Sequence, residues 1–271
     1  MKRLLSLAFL LAFSMNIFSV AAVETDPTDQ PCGEWDDVSS TYMDVITDVC
    51  ERGIMAGLGS SNFDGDFGIS RAMAATVGSR IAMGPDDFNS MEDANSFYID
   101  QLQNYFTDVP TNDEWNNWLL KAMYYARTQH VMSGDANSGG VTTFRYNDDV
   151  TTAEILKILF EAADARDVLN VSDASSVSYD GSPWYADVVA EYYAMGVINS
   201  YSADGGEGDY IQFYIYYDTS DSSKKNLIRL GLNDEITRQN VAFLVYEMID
   251  QGMMEDPNGD LQEVPDTIGR L

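Results

Sequence analysis

Arg71 and Arg238 each follow a residue suited to cap a helix, Ser70 and Thr237, so each guanidinium falls in the first turn of an expected helix. The helix macrodipole disfavours a cation there by about 0.3–1 kcal/mol, so neither arginine gains anything locally from its position. A guanidinium beside unpaired backbone N–H groups does make a compact anion site, suited to bidentate capture of a carboxylate. Tyr42, Trp118 and Trp184 stand near the starts of other expected helices and offer flat faces with polar tips, the kind of surface on which sugar rings lie. Acid-bearing sugar is the ligand such a set would recognise. With 44 Asp and Glu in the chain, the same arginines can equally serve as ion-pair partners and the same aromatics as core.

Catalytic chemistry has less to work with. The single histidine, His130, lies at a helix stop with no Ser or Cys nucleophile placed beside it. A carboxylate pair near the tyrosine-rich stretch at 201–230 is the form a polysaccharide hydrolase would take, but 44 acids make any one pair uninformative. Neither a phosphate-cradling glycine loop nor zinc-type Cys/His spacing occurs. Asp64-Gly65-Asp66, Asp135 to Gly139 and Asp256 to Asp260 space oxygens somewhat as calcium loops do, yet none completes an EF-hand, so they read as solvated turns and no metal or cofactor is assigned. Against 44 acids stand 15 Lys and Arg, a formal charge of −29, which excludes nucleic-acid binding through clustered positive charge.

Lys2 and Arg3 precede an apolar run from Leu4 to Val20, and small residues follow at Ala21 and Ala22, the layout of a secretory signal peptide over residues 1–22. Cleavage leaves 13 basic and 44 acidic residues, a charge near −31, and no later run is apolar and long enough to span a bilayer. Cys32 and Cys50 are the two cysteines; export to an oxidising compartment favours their pairing, the alternative being a buried thiol at Cys50 with Cys32 free.

Stepping along the chain, three segments share an order of parts: an acidic turn, an aromatic-led helix, a glycine stop, an irregular loop, and a Ser or Thr opening a second helix. These second helices start at Ile69-Ser70-Arg71-Ala72, Val150-Thr151-Thr152-Ala153-Glu154 and Ile236-Thr237-Arg238-Gln239. Trp118 to His130 and Trp184 to Gly196 share one spacing, twelve residues. Apolar residues at spacings of three and four, as in Val241, Leu244, Val245 and Met248, mark one buried helical face, and Thr151 with Glu154 predicts a capping box. Tyr210, Gln212, Tyr214 and Tyr216 alternate with Ile211, Phe213 and Ile215, which predicts a strand, with Asn226 to Leu230 as its return. The expected architecture is mainly α: three helix-loop-helix repeats packed as a pseudo-threefold bundle, with a small surface β-hairpin inserted in the third. Its parts are repeat 1 at 35–84, a connector at 85–104, repeat 2 at 105–165, a connector at 166–178, repeat 3 at 179–252 with the hairpin at about 201–230, and a tail at 253–271.

These pieces, with Phe106 to Pro110 and Gly53 to Gly57, resemble the S-layer homology (SLH) family, whose repeats run from an acidic Pro-containing turn through a Trp-led helix and a Gly-Ile-x-x-Gly stop to an Ile-Thr-Arg-Ala-Glu helix start. The resemblance covers most of residues 35–252. It implies a secreted, non-catalytic protein of the bacterial cell wall or cell surface that holds cell-wall glycan or a secondary wall polymer in grooves between repeats, serving surface attachment or S-layer organisation, with other envelope proteins as further partners. The helix-start arginine is that family's ligand contact; it maps onto Arg71 and Arg238, and the second repeat has Thr152 there, beside the capping positions Ser70, Thr151 and Thr237. Thr41 stands in place of the first repeat's Trp and His130 in place of a glycine.

Overall fold

The computed structural model describes residues 32–33, 35–57, 61–92, 95–109, 117–136, 142–170, 183–216 and 225–257. The expected signal segment at 1–22, the connector beyond 170, the tail beyond 257 and parts of two of the calcium-like loops lie outside them. The elements in chain order are α1 (Ser40–Glu51), α2 (Arg71–Met83), α3 (Pro85–Ser90), α4 (Asn95–Leu102), α5 (Asn117–Thr128), β1 (Asp135–Ala136), β2 (Thr142–Thr143), α6 (Thr152–Ala165), α7 (Ala186–Ala194), β3 (Ser200–Ser202), β4 (Tyr210–Tyr216), β5 (Lys225–Gly231) and α8 (Arg238–Asp250).

Helix α2 is central. Its sequence is rich in alanine, a strong helix former, and it is enclosed by α5 and α6 with α3 folding back on its C-terminal end. Small residues let those neighbours in: a Cβ on Gly78 would stand 2.9 Å from Val131 Cγ1 and 3.1 Å from Ile158 Cγ2, so only glycine permits this packing. Ser79 Oγ donates to Ala122 O at 2.9 Å, binding α2 to α5. Helix α1 packs on α8, and α6 on α7, where Tyr192 donates to Leu156 O at 3.0 Å. Cys32 and Cys50 are joined by a disulfide that fastens the segment before α1 to that helix, with a loop of a size that contributes about 3 kcal/mol.

The expected mainly-α three-repeat bundle is corrected by the sheet. The chain is mixed α/β: the described residues hold eight helices and a three-stranded antiparallel sheet. The strand order is β3-β4-β5, with Phe213 opposite Ile228 and Tyr201 opposite Ile211. Alternation in β4 is as the sequence implies, but its inner row is no surface appendage. Ile211, Phe213 and Ile215 are buried in the common core, and Phe213 stacks on Phe243 of α8 with ring centroids 4.5 Å apart. Burying an aromatic and two branched side chains makes the sheet a layer of the fold. The connector at 85–104 also supplies two helices, α3 and α4, the first opened by Pro85, whose fixed φ suits that position.

Three helix starts meet at one point. Ile69 N–H donates to Ile236 O (3.2 Å), Ile236 N–H to Val150 O (3.2 Å), and Val150 N–H to Ile69 O (3.0 Å), a closed ring of backbone hydrogen bonds among buried residues. Each residue precedes the cap of α2, α6 or α8, so the ring fixes the directions in which those helices leave the centre.

Candidate functional site

The ring decides what the helix starts can bind. In α2, Arg71 N–H donates to Asp148 O and Ala72 N–H to Tyr146 O; in α6, Thr152 donates to Asp234 O and Ala153 to Leu232 O; in α8, Arg238 donates to Phe67 O and Gln239 to Gly65 O, all between 2.9 and 3.1 Å. Side-chain caps take the next donors: Met73 N–H to Ser70 Oγ and Glu154 N–H to Thr151 Oγ1, each at 3.3 Å, while Thr237 Oγ1 accepts from Asn240 Nδ2 at 2.9 Å. The capping box of Thr151 and Glu154 is formed. Loop carbonyls thus fill the first donors of all three helices, Ser70 and Thr151 are occupied as caps, and Thr237 is occupied by the Asn240 side-chain amide, so these starts offer no set of unpaired N–H groups.

The two arginines are held alike up to one atom. Arg71 Nε donates to Phe144 O (2.7 Å) and its guanidinium lies 5.6 Å from that ring's centroid; Arg238 Nε donates to Phe63 O (3.0 Å) and its guanidinium lies 4.8 Å from the ring of Phe63. The supporting loops match too. Asp108 accepts from the N–H groups of Phe144 and Arg145, and Asp37 from those of Phe63 and Asp64. The second residue in each pair has a φ of 56°. Then they diverge. Arg71 Nη1 meets Glu154 Oε1 at 3.0 Å, an oxygen shared with Arg145 Nη2 at 2.9 Å. Arg238 makes no ion pair among the described residues: Nη2 donates to Ala56 O at 2.7 Å and Nη1 has the sulfur of Met73 at 3.9 Å. Burial lowers both guanidinium pKa values, that of Arg238 to about 10, the carboxylates of Asp64 and Asp37 opposing and Arg80 adding to the fall. At the third start Thr152, fully buried, offers only a hydroxyl, donated to Asp234 O.

Arg238 opens on a small groove, with a cavity volume of about 20 Å³, between Ile54–Ala56, one face of α2 and Trp118. The α2 face is Met73, Thr76, Val77 and Arg80, spaced as neighbours on a helix should be. Arg80 donates to Ile54 O (3.3 Å) and lies over the ring of Phe88. The indole N–H of Trp118 is buried and has no acceptor among the described residues. A buried donor left unmade costs about 1–3 kcal/mol. Among the described residues no acidic one lines the groove.

Of the residues expected at a ligand site, the structure thus brings Arg238 and Trp118 together. Arg71 is engaged by Glu154 elsewhere. Tyr42 is core: its hydroxyl donates to Asn240 Oδ1 at 3.2 Å and is pushed up to about 12 by burial and by Asp66. Trp184 is 57% exposed, edge-on to Tyr185, and away from the groove. Arg80 and Met73 went unread as site residues. An arginine within an otherwise small and apolar helix was the available signal, since a buried cation requires partners.

Among the described residues no group of three potential metal ligands gathers, and Asp66 accepts from Gln239 Nε2 at 2.6 Å. Near the sheet, burial opposes ionisation of Asp209, but the hydroxyl of Tyr185 and the N–H of Gly205 outweigh it and hold the acid at about 2, an ionised structural anchor. Among the described residues the one carboxyl pushed up is Glu247 in the last turn of α8, raised to about 7 by burial and then by Asp250. A raised folded-state pKa favours folding of the protonated form, so this contribution is complete below about pH 4.5 and is lost as pH rises through 7. Glu247→Gln should match the wild type in thermal melts at pH 4.5 and exceed it above pH 7.5 by about 2–3 kcal/mol. Equal melts at both pH values would contradict the shift.

No protein-family model matches the chain, and no curated protein matches it. Among the described residues no helix is long and apolar enough to cross a membrane.

Proposed function

We propose that this is a secreted, non-catalytic protein of the bacterial cell envelope, similar to SLH proteins, that holds an acid-bearing wall polysaccharide in the groove at Arg238 and Trp118. The observation that carries this reading is the contrast between the two arginines. Where Arg71 has the carboxylate of Glu154, Arg238 has none, and the groove beside it supplies a second unused donor. A ligand carboxylate there takes the part of Glu154, accepting from a fixed guanidinium in a site with no competing acid. The overall charge of −29 does not forbid this, because at physiological ionic strength the Debye length is about 8 Å and the local cation governs. The signal-peptide pattern supplies the compartment.

Trp118→Phe keeps the ring and removes the N–H. Retention of the mature chain on purified envelope sacculi should weaken about tenfold or more, the value of a hydrogen bond to a charged acceptor. Undiminished retention rejects the groove as the site.

A further inference from the structure

The outer face of the sheet is used by none of the above. On β4 it carries Tyr210, Gln212, Tyr214 and Tyr216; across β5 stand Lys225, Leu227 and Arg229. The cations are fixed on the rings: Arg229 Cζ lies 3.8 Å from the centroid of Tyr210, and Lys225 Nζ lies 4.0 Å from that of Tyr214 and 5.6 Å from that of Tyr216. Arg229–Tyr210 and Lys225–Tyr214 are diagonal cross-strand neighbours, the pairs that long side chains reach on a pleated surface, and Lys225 stands directly opposite Tyr216. Between them Gln212 is held by Ser200, whose hydroxyl donates to Oε1 at 2.7 Å.

Charge sets this face apart. About one residue in six of the chain is acidic, yet β3, β4 and β5 contain no Asp or Glu. Neither Lys225 nor Arg229 makes an ion pair among the described residues. A seven-residue strand is about 23 Å long, and with a Debye length of about 8 Å an anion lying along it responds most to the charges nearest it, Lys225 and Arg229.

We propose that this face is a second binding site, a flat platform for a strand of acidic polysaccharide. Its tyrosine rings suit the C–H faces of sugars, the amide suits hydroxyls, and two cations already desolvated on one side suit carboxylates. The apolar reach that a bilayer would require is small, since Leu227 alone among these residues is a projecting aliphatic. The site is separate from the groove, and the test keeps them apart.

Affinity electrophoresis through gels containing polygalacturonate, with neutral dextran as control, reads the platform directly. The wild type should be retarded by polygalacturonate, less so as salt is raised, and not by dextran. The double variant Lys225→Gln, Arg229→Gln should lose at least tenfold in apparent affinity with unchanged circular dichroism, both positions being exposed enough to accept glutamine. The proposal is overturned by an unretarded wild type, by equal retardation of the double variant, or by binding to phosphatidylglycerol-containing vesicles in place of polygalacturonate. Because Trp118→Phe on sacculi tests the groove and the double variant tests the sheet, either site can fail alone.

Discussion

Glu154→Ala is expected to lower the unfolding free energy by about 3–5 kcal/mol, the cost of leaving one partner of a buried ion pair stranded. Three losses combine at this residue. The Arg71 side chain, only 7% exposed, keeps its charge without the carboxylate that faces it at 3.0 Å. Arg145 loses the same oxygen, and the Thr151 N–H loses the Oε2 that completes the capping box at 2.9 Å. For a chain of this size the drop corresponds to a fall of about 10 °C in Tm. Glu154→Gln, which keeps an acceptor for the cap but not the charge, should fall between the two. Pairing Arg71→Met with Glu154→Gln should recover most of the loss, because the unpartnered cation is then gone. A loss under about 1 kcal/mol in urea melts of Glu154→Ala would place this cluster among surface pairs of little consequence.

Met73→Glu is the converse experiment. Here a carboxylate is supplied to the arginine that lacks one, from a half-buried position whose sulfur already lies 3.9 Å from Arg238 Nη1. The protein should become more stable, by a few degrees in Tm, as the Arg238 cation gains a partner. Retention on acid-bearing wall polymer should fall by at least tenfold, since the introduced anion occupies the guanidinium and repels a ligand carboxylate. Met73→Gln separates charge from shape and should bind nearly as the wild type does. A Met73→Glu chain that binds unchanged sinks the groove reading, whatever its stability.

Local patterns carried a good part of the architecture. Ser70 and the Thr151–Glu154 pair cap their helices as their types dictate, because capping needs only atoms three residues apart. The alternation of β4 was legible for the same reason, and its burial follows from the inner row. Strand β3 was not: Ser200–Ser202 is three residues long, has no period to read, and exists through pairing with β4. The helix-start anion sites failed on a longer scale. Arg71 and Arg238 do occupy first turns, but the N–H groups there are satisfied by carbonyls from Asp148 and Phe67, contributed by loops far away in the chain. Composition held no trace of that, nor of the one feature separating the two arginines, which is that Glu154 reaches one and Met73 the other.

The ring of Ile69, Val150 and Ile236 sets how the chain reaches its native state. Removing any one of the three residues' segments opens two of the three bonds, so no two segments retain the geometry they have when the third is present. The closures span roughly 80 to 170 positions, and such distant contacts make folding slow and all-or-none. Excised fragments ending between these points should therefore be poor vehicles for studying either binding surface, and a protease that nicks one loop between them should release the whole assembly cooperatively, not piece by piece.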